Sequence, residues 1–104
     1  MGASKKEQFS EKQIGASLLG RAIAAPARIA ILQHLNYNNF VSSSELSKEF
    51  HLSITAIHQH LKILKEAKLV NETYQENKHG YFINFSSQNS LEKINWIFNI
   101  HYSS

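Results

Sequence analysis

No cysteine occurs among the 104 residues. That absence excludes disulfides, thiolate-held metal and thiol redox sensing, and it fits a reducing compartment, for which a bacterial cytoplasm is the expectation. No apolar run approaches the roughly 20 residues of a membrane span, and the opening "MGASKKEQFS" lacks the hydrophobic core of a signal peptide. Gly2 invites a myristoylation reading, but Lys6 stands where that signal needs serine or threonine. The chain is therefore read as unanchored, with no membrane partner. Missing too are a glycine-rich phosphate loop, a thiol nucleophile and paired carboxylates assignable to a pocket, so nothing points to an enzyme.

What is present is an ordinary globular composition, 42% hydrophobic and 18% charged, without repeats or low-complexity tracts. The length predicts one domain over residues 1–104, with 1–12 as a polar, frayed arm. A core of this size gains from burying an apolar face against a second copy. The net charge is +3 and the pI about 9.3, a mild basicity that is compatible with a polyanionic partner without demanding one.

Apolar spacing divides the chain into elements. In "QIGASLLGRAIAA", Ile14, Leu18, Leu19 and Ile23 mark a first helix, weakened by Gly15 and Gly20. Pro26 suits the first turn of a second helix, in which Ile29, Leu32 and Leu35 form a stripe with Ile31 beside it, before "NYNNF" ends it. A capping box, Ser42 with Glu45, opens a short third helix that turns Leu46 and Phe50 inward. Only "HLS" separates it from a fourth, where Ser53 caps and Ile57, Leu61 and Leu64 supply the core stripe. Two short helices, a tight turn and facing apolar stripes describe a helix-turn-helix. The pattern then becomes strand-like: "NETYQ", a tip "ENKHG", and "YFINF", in which Tyr81, Ile83 and Phe85 alternate with Phe82 and Asn84. This hairpin reads as a wing. A last helix follows in "SLEKINWIFNIHY", with Leu91, Ile94, Phe98 and His101 on one stripe broadened by Ile97.

"PARIAILQHL", then "SELSKEFHLSITAIHQHLKILKEAKLV", then a hairpin ending "GYFINF" resembles the ArsR/SmtB-type winged helix-turn-helix transcriptional repressors over roughly residues 14–100. The resemblance implies a mainly α fold with a β-hairpin wing, dimerising through its terminal helices. The residues expected at that interface are Ile14, Leu18, Leu91, Ile94 and Phe98; the alternative is that these faces pack within one monomer. It also implies a homodimeric repressor on double-stranded DNA, its fourth helices in successive major grooves of an inverted-repeat operator. Three departures are visible. Ala25 replaces the Asp that commonly precedes the proline, Lys68 stands where the family usually has Gly, and "FVSSSEL" lacks the cysteine segment of the metal sensors. In the last helix, Glu92 and His101 do not reproduce the paired spacing by which other members hold zinc.

Six histidines raise the question of a metal site. Ligands on one helix converge at i, i+3 or i, i+4, whereas His58 and His60 diverge by roughly 200°. His34, His51, His79 and His101 lie on separate elements. No metal and no cofactor are expected, although a repressor with an atypical histidine and carboxylate site stays open. His60 adjoins the Leu61 and Leu64 face and is read mainly as a packing residue; His58 lies off the core stripe.

Opposite Ile57, Leu61 and Leu64 stand Thr55, Gln59 and Lys62, with Ile54 and His58 at the edge. Gln can pair bidentately with adenine, Thr and Ile can contact a thymine methyl, and Ser53 with the helix N-terminus can hold a phosphate. The wing tip carries Lys78 and His79. Lys62, Lys65 and Lys78 are the expected phosphate contacts, with Arg28, Lys5 and Lys6 as further contributors; Arg28 is read alternatively as the partner of an intramolecular carboxylate. Against sequence-specific DNA binding stands a winged helix used for protein interaction, binding a partner chain by strand addition. The sequence identifies no small-molecule effector.

Overall fold

The structure is a computed structural model that describes residues 8–85. Helix α1 spans Glu11–Ala22, α2 Pro26–Tyr37, α3 Ser43–Phe50 and α4 Ile54–Glu66, followed by strands β1, Val70–Gln75, and β2, Lys78–Ile83. This is a winged helix-turn-helix. The last helix expected from "SLEKINWIFNIHY" lies outside the described residues, as do Lys5, Lys6, Leu91, Ile94 and Phe98.

Glu11 and Lys12, expected in the arm, belong to α1, which begins at Glu11. Ser10 and Gln13 form a capping box: Ser10 Oγ accepts from the Gln13 N–H at 3.1 Å, and Gln13 Oε1 accepts from the Ser10 N–H at 2.9 Å. Leu18, Leu19 and Ile23 pack on the core from this helix, and Ala22 is fully buried. A bend of 89° then leads into α2. Pro26 occupies its first turn, and Ala25 caps it with no side-chain hydrogen bond. The α2 stripe is rotated relative to expectation, since Ile31, Leu32 and Leu35 are buried while Ile29 is only half-buried.

Helix α3 opens with the expected box, Ser42 Oγ accepting from the Glu45 N–H at 3.1 Å and Glu45 Oε1 from the Ser42 N–H at 3.0 Å. It ends on left-handed His51 (φ 54°), and the Leu52 N–H returns to the Ser47 carbonyl at 3.2 Å. Ser53 Oγ then caps α4 through the Ala56 N–H at 3.1 Å. The exit of α4 is a Schellman turn. Lys68 is left-handed (φ 62°), its N–H donates to the Lys65 carbonyl at 2.9 Å, and that of Leu69 to the Leu64 carbonyl at 3.0 Å. A lysine in this conformation costs about 1 kcal/mol relative to glycine.

The wing pairs Val70 with Ile83 through to Gln75 with Lys78, antiparallel. The tip is the pair Glu76 and Asn77, both at positive φ (50° and 65°), as a type I′ turn requires. Gly80, expected in the tip, instead lies inside β2 opposite Thr73. A Cβ there would stand 2.5 Å from Phe40 Cζ, so the position is kept bare for an aromatic ring. Val41 forms a short bridge to Tyr81, with N–H to carbonyl distances of 3.0 and 2.7 Å, and ties the α2–α3 loop to β2.

The alternation expected through Phe85 holds for Tyr81 and Ile83 and then fails. Asn84 is buried and Phe85 exposed, because β2 stops at Ile83 and Asn84 turns to the α4 exit. Its N–H donates to Leu69 O at 2.9 Å and its Nδ2 to Lys68 O at 3.0 Å. At the centre, Leu32, Leu46, Ile57, Leu61, Leu64, Leu69 and Val70 are fully buried, each worth about 1.5–3 kcal/mol against exposure. No single helix among the described residues is long and apolar enough to cross a membrane.

Candidate nucleic-acid interface

With Ile57, Leu61 and Leu64 locked into the core, α4 must present its other face outward. Ser53, Ile54, Thr55, His58, Gln59 and Lys62 are all exposed there. Ile54 is unusual for an aliphatic side chain in being 41% exposed. The Ser53 oxygen is occupied by its cap, while the first N–H groups of α4 have no partner within the helix and remain suited to an anion.

His60 is half-buried, in keeping with a packing role. Arg28 Nη1 lies 3.3 Å from its Nδ1. A guanidinium can only donate, so Nδ1 accepts and the ring is neutral with its proton on Nε2. Burial, followed by the charge of Arg28, holds the His60 pKa below the usual imidazole value.

Among the described residues Arg28 pairs with no carboxylate and instead meets backbone carbonyls. Its Nη2 donates to the Arg21 carbonyl at 2.8 Å and its Nε to the Ala22 carbonyl at 3.3 Å. The guanidinium therefore closes the C-terminus of α1, where unpaired carbonyls and the negative end of the helix dipole favour a cation.

The wing brings together residues that no local spacing pairs. Glu72 is its hub: Oε1 meets Lys65 Nζ of α4 at 2.5 Å and Oε2 meets His79 Nε2 at 3.1 Å. Tyr81 stands directly across the ladder from the same carboxylate. Hydrogen bonding from Lys65 is the main reason the Glu72 pKa falls below the ordinary carboxylate value. Burial, with the Glu72 charge second, pushes the Tyr81 phenol up to about 12. The His79 ring lies between Tyr74 and Tyr81, with centroids 5.0 and 5.1 Å away. Lys78 is paired as well. Its Nζ is 2.5 Å from Glu45 Oε1 and 6.0 Å from the centre of the Phe40 ring. Hydrogen bonds from Lys78 and from the Ser42 backbone lower the Glu45 pKa to about 2.

Thus Thr55, Gln59, Lys62 and His58 share one exposed face, whereas Lys65, Lys78 and His79 already hold carboxylates. Between α4 and the wing runs an open cleft of about 390 Å³, with His58, Lys62, Lys65 and Glu66 on one wall and Glu72 and Tyr81 on the other. Among the described residues no three His, Asp or Glu side chains come together as a metal ligand set. Sequence reasoning missed the Glu72 hub. A tip spanning Glu76 to Gly80 would place Gln75 beside Tyr81; only the turn at Glu76 and Asn77 places Glu72 there.

Comparison with known proteins agrees with this geometry. A family model described as a helix-turn-helix domain matches residues 23–73. The transcriptional repressor SdpR of Bacillus subtilis (strain 168) is 30% identical over 81 residues, covering 76% of this chain and 84% of SdpR. Among solved structures, HlyU from Vibrio cholerae N16961 superposes with a TM-score of 0.70 at 28% identity, over 92% of this chain and all of HlyU. The homodimeric winged helix-turn-helix DNA-binding domain Mb0332 from Mycobacterium bovis, a possible ArsR-family regulator, gives a TM-score of 0.72 at 16% identity. That match covers 91% of this chain and 89% of the domain.

Proposed function

We propose that the chain, which belongs to a family of helix-turn-helix transcriptional regulators, is an ArsR-type homodimeric repressor that reads an inverted-repeat operator through α4. The observation that carries this reading is the exposed set Ile54, Thr55, His58, Gln59 and Lys62, which stands opposite a fully buried stripe and beside the wing. Such a helix inserts into a major groove with its first two turns towards the bases. Gln59 pairs with adenine, Thr55 and Ile54 meet a thymine methyl, and Lys62 with the Ser53 end of α4 holds phosphates.

The SdpR relationship supports repression, and the homodimeric Mb0332 domain supports pairing of two chains. A partner face is available on α1, where Ile14 and Leu18 are half-buried, and Phe9 just ahead of its cap is 53% exposed. Two-fold symmetry then spaces the half-sites by about one helical turn or a small multiple of it.

Selection of bound fragments from a genomic pool, at near-physiological salt and with or without zinc and chelator, tests this. An inverted repeat should be enriched alike under both conditions. Gln59→Ala should then lose discrimination at one position per half-site, about 1–3 kcal/mol. A pool that converges on no motif would favour a protein-binding module instead.

A further inference from the structure

We infer that Glu72 is a specificity-determining residue: it withholds the Lys65 ammonium from DNA phosphates, so that duplexes lacking the operator sequence are held weakly. This inference rests on the DNA-binding reading above and asks what the wing carboxylates do within it.

Lys65 lies on the same flank of α4 as His58 and Lys62, at i, i+4 and i+7, and so lines the cleft beside the wing. By position it is a phosphate contact. Its ammonium nevertheless sits 2.5 Å from Glu72 Oε1, and the other oxygen of that carboxylate is held by His79 Nε2 at 3.1 Å, with Tyr81 directly across the ladder. Both oxygens of Glu72 are engaged, Oε1 by Lys65 and Oε2 by His79, so releasing Lys65 to a phosphate breaks one of two contacts. The lining of the cleft pairs Lys62 and Lys65 with Glu66 and Glu72, which leaves it formally neutral when His58 is uncharged.

The consequence follows from how proteins hold DNA. Binding to arbitrary sequence is almost entirely phosphate neutralisation with release of counterions. A lysine that must exchange a carboxylate for a phosphate gains only the difference between two similar ion pairs, and it contributes little to that binding. On a matching operator, contacts from Thr55 and Gln59 hold the backbone against the cleft, and the exchange is then driven by proximity. The internal pair thereby penalises wrong sequences more than right ones, which is how discrimination is raised without adding a contact.

The test uses the full chain and two labelled duplexes, one scrambled and one recovered by the selection above, titrated from low to moderate salt. Glu72→Gln keeps the shape and the oxygen acceptor but removes the charge and so frees Lys65. The scrambled duplex should then bind more tightly at low salt, with a log–log salt slope steeper by about 0.9 per subunit. That corresponds to about 3.5-fold per subunit in the loss of affinity between about 50 and 200 mM salt. Affinity for the selected duplex should change much less, so the specificity ratio falls. In the double variant Lys65→Gln, Glu72→Gln, which removes the pair as a unit, the slope should return to that of the parent chain. A merely structural role for Glu72 would weaken both duplexes and leave the slope unsteepened, overturning the inference. It is overturned equally if the steeper slope persists in the double variant, because general charge is then the cause. If the parent chain retains neither duplex, the DNA-binding reading itself fails and this inference falls with it. Parent binding with an unaltered slope in Glu72→Gln removes the inference alone.

Discussion

Arg28→Met separates a structural arginine from a DNA-contacting one. Methionine keeps most of the aliphatic stem and deletes the guanidinium. Three contacts disappear: the 2.8 Å bond to Arg21 O, the 3.3 Å bond to Ala22 O and the 3.3 Å approach to His60 Nδ1. The first is well formed and charge-assisted; the other two are long. The Arg21 carbonyl lies where water can replace part of the loss, so the net cost is about 1–2 kcal/mol rather than the sum of three full bonds. For a domain of this size that lowers Tm by roughly 4–8 °C per kcal/mol. Thermal melts by circular dichroism read it directly.

The same substitution has a second signature. His60 titrates below its unfolded value, so at pH between the two the unfolded chain binds more protons. Stability from this group is complete above about pH 6.5 and is lost as pH falls through the folded pKa. Removing Arg28 deletes the smaller of the two causes, the larger being burial. The folded His60 pKa should therefore rise towards, but not reach, its unfolded value, as followed by its ring resonances in NMR. An unchanged Tm together with a salt slope for DNA shallower by one phosphate would show the guanidinium facing DNA and refute the reasoning.

Two further perturbations probe the wing. Gly80→Ala would drive a methyl into the Phe40 ring, whose three nearest atoms lie 2.5, 2.6 and 2.9 Å from the ideal Cβ. Phe40 is half-buried and can swing outward, so the expected loss is about 1–2 kcal/mol after the strand preference of alanine is set against it; a urea midpoint at or above the parent value would contradict it. The carboxyl of Glu45 has a pKa near 2 in the fold, so its contribution is present above about pH 4.5 and is lost as pH falls towards 2. Its side chain is 52% exposed, which limits that contribution to about 1 kcal/mol or less. The Tm difference between the parent and Glu45→Gln should shrink over that window, and a constant difference would exclude the ion pair as its source.

The helices are legible in the sequence because each is specified by neighbours along the chain. Ser42 and Glu45 are three apart, Ser53 precedes the α4 stripe, and Pro26 marks the start of α2. Ser10 and Gln13 carry the same signal, but it stands ahead of the first apolar residue of α1, where apolar spacing alone does not reach. On α4 the division into buried and exposed faces follows from periodicity, which is why the sequence suffices to set Thr55, Gln59 and Lys62 outward. The rotation of the α2 stripe towards Ile31 is not readable in this way, because apolar residues surround most of that helix and only its neighbours decide which are covered.

Charge on the wing is the least legible property, and one glycine explains why. In "ENKHG" the glycine looks like the turn former, since it alone tolerates positive φ without cost. The positive φ falls instead on Glu76 and Asn77, while Gly80 makes room for Phe40 inside a strand. That choice fixes the register, and the register decides which side chains meet. It sets Glu72 opposite Tyr81, near His79 and within reach of Lys65, and it brings Lys78 back to Glu45. Counting lysines along the sequence therefore overstates the cations free for phosphate, because a hairpin pairing, invisible to any local count, commits two of them to carboxylates. In the proposed complex the attraction to DNA then rests more heavily on Lys62, the exposed end of α4 and the doubling of both in the proposed dimer, and the carboxylates of the wing become part of the recognition problem rather than bystanders to it.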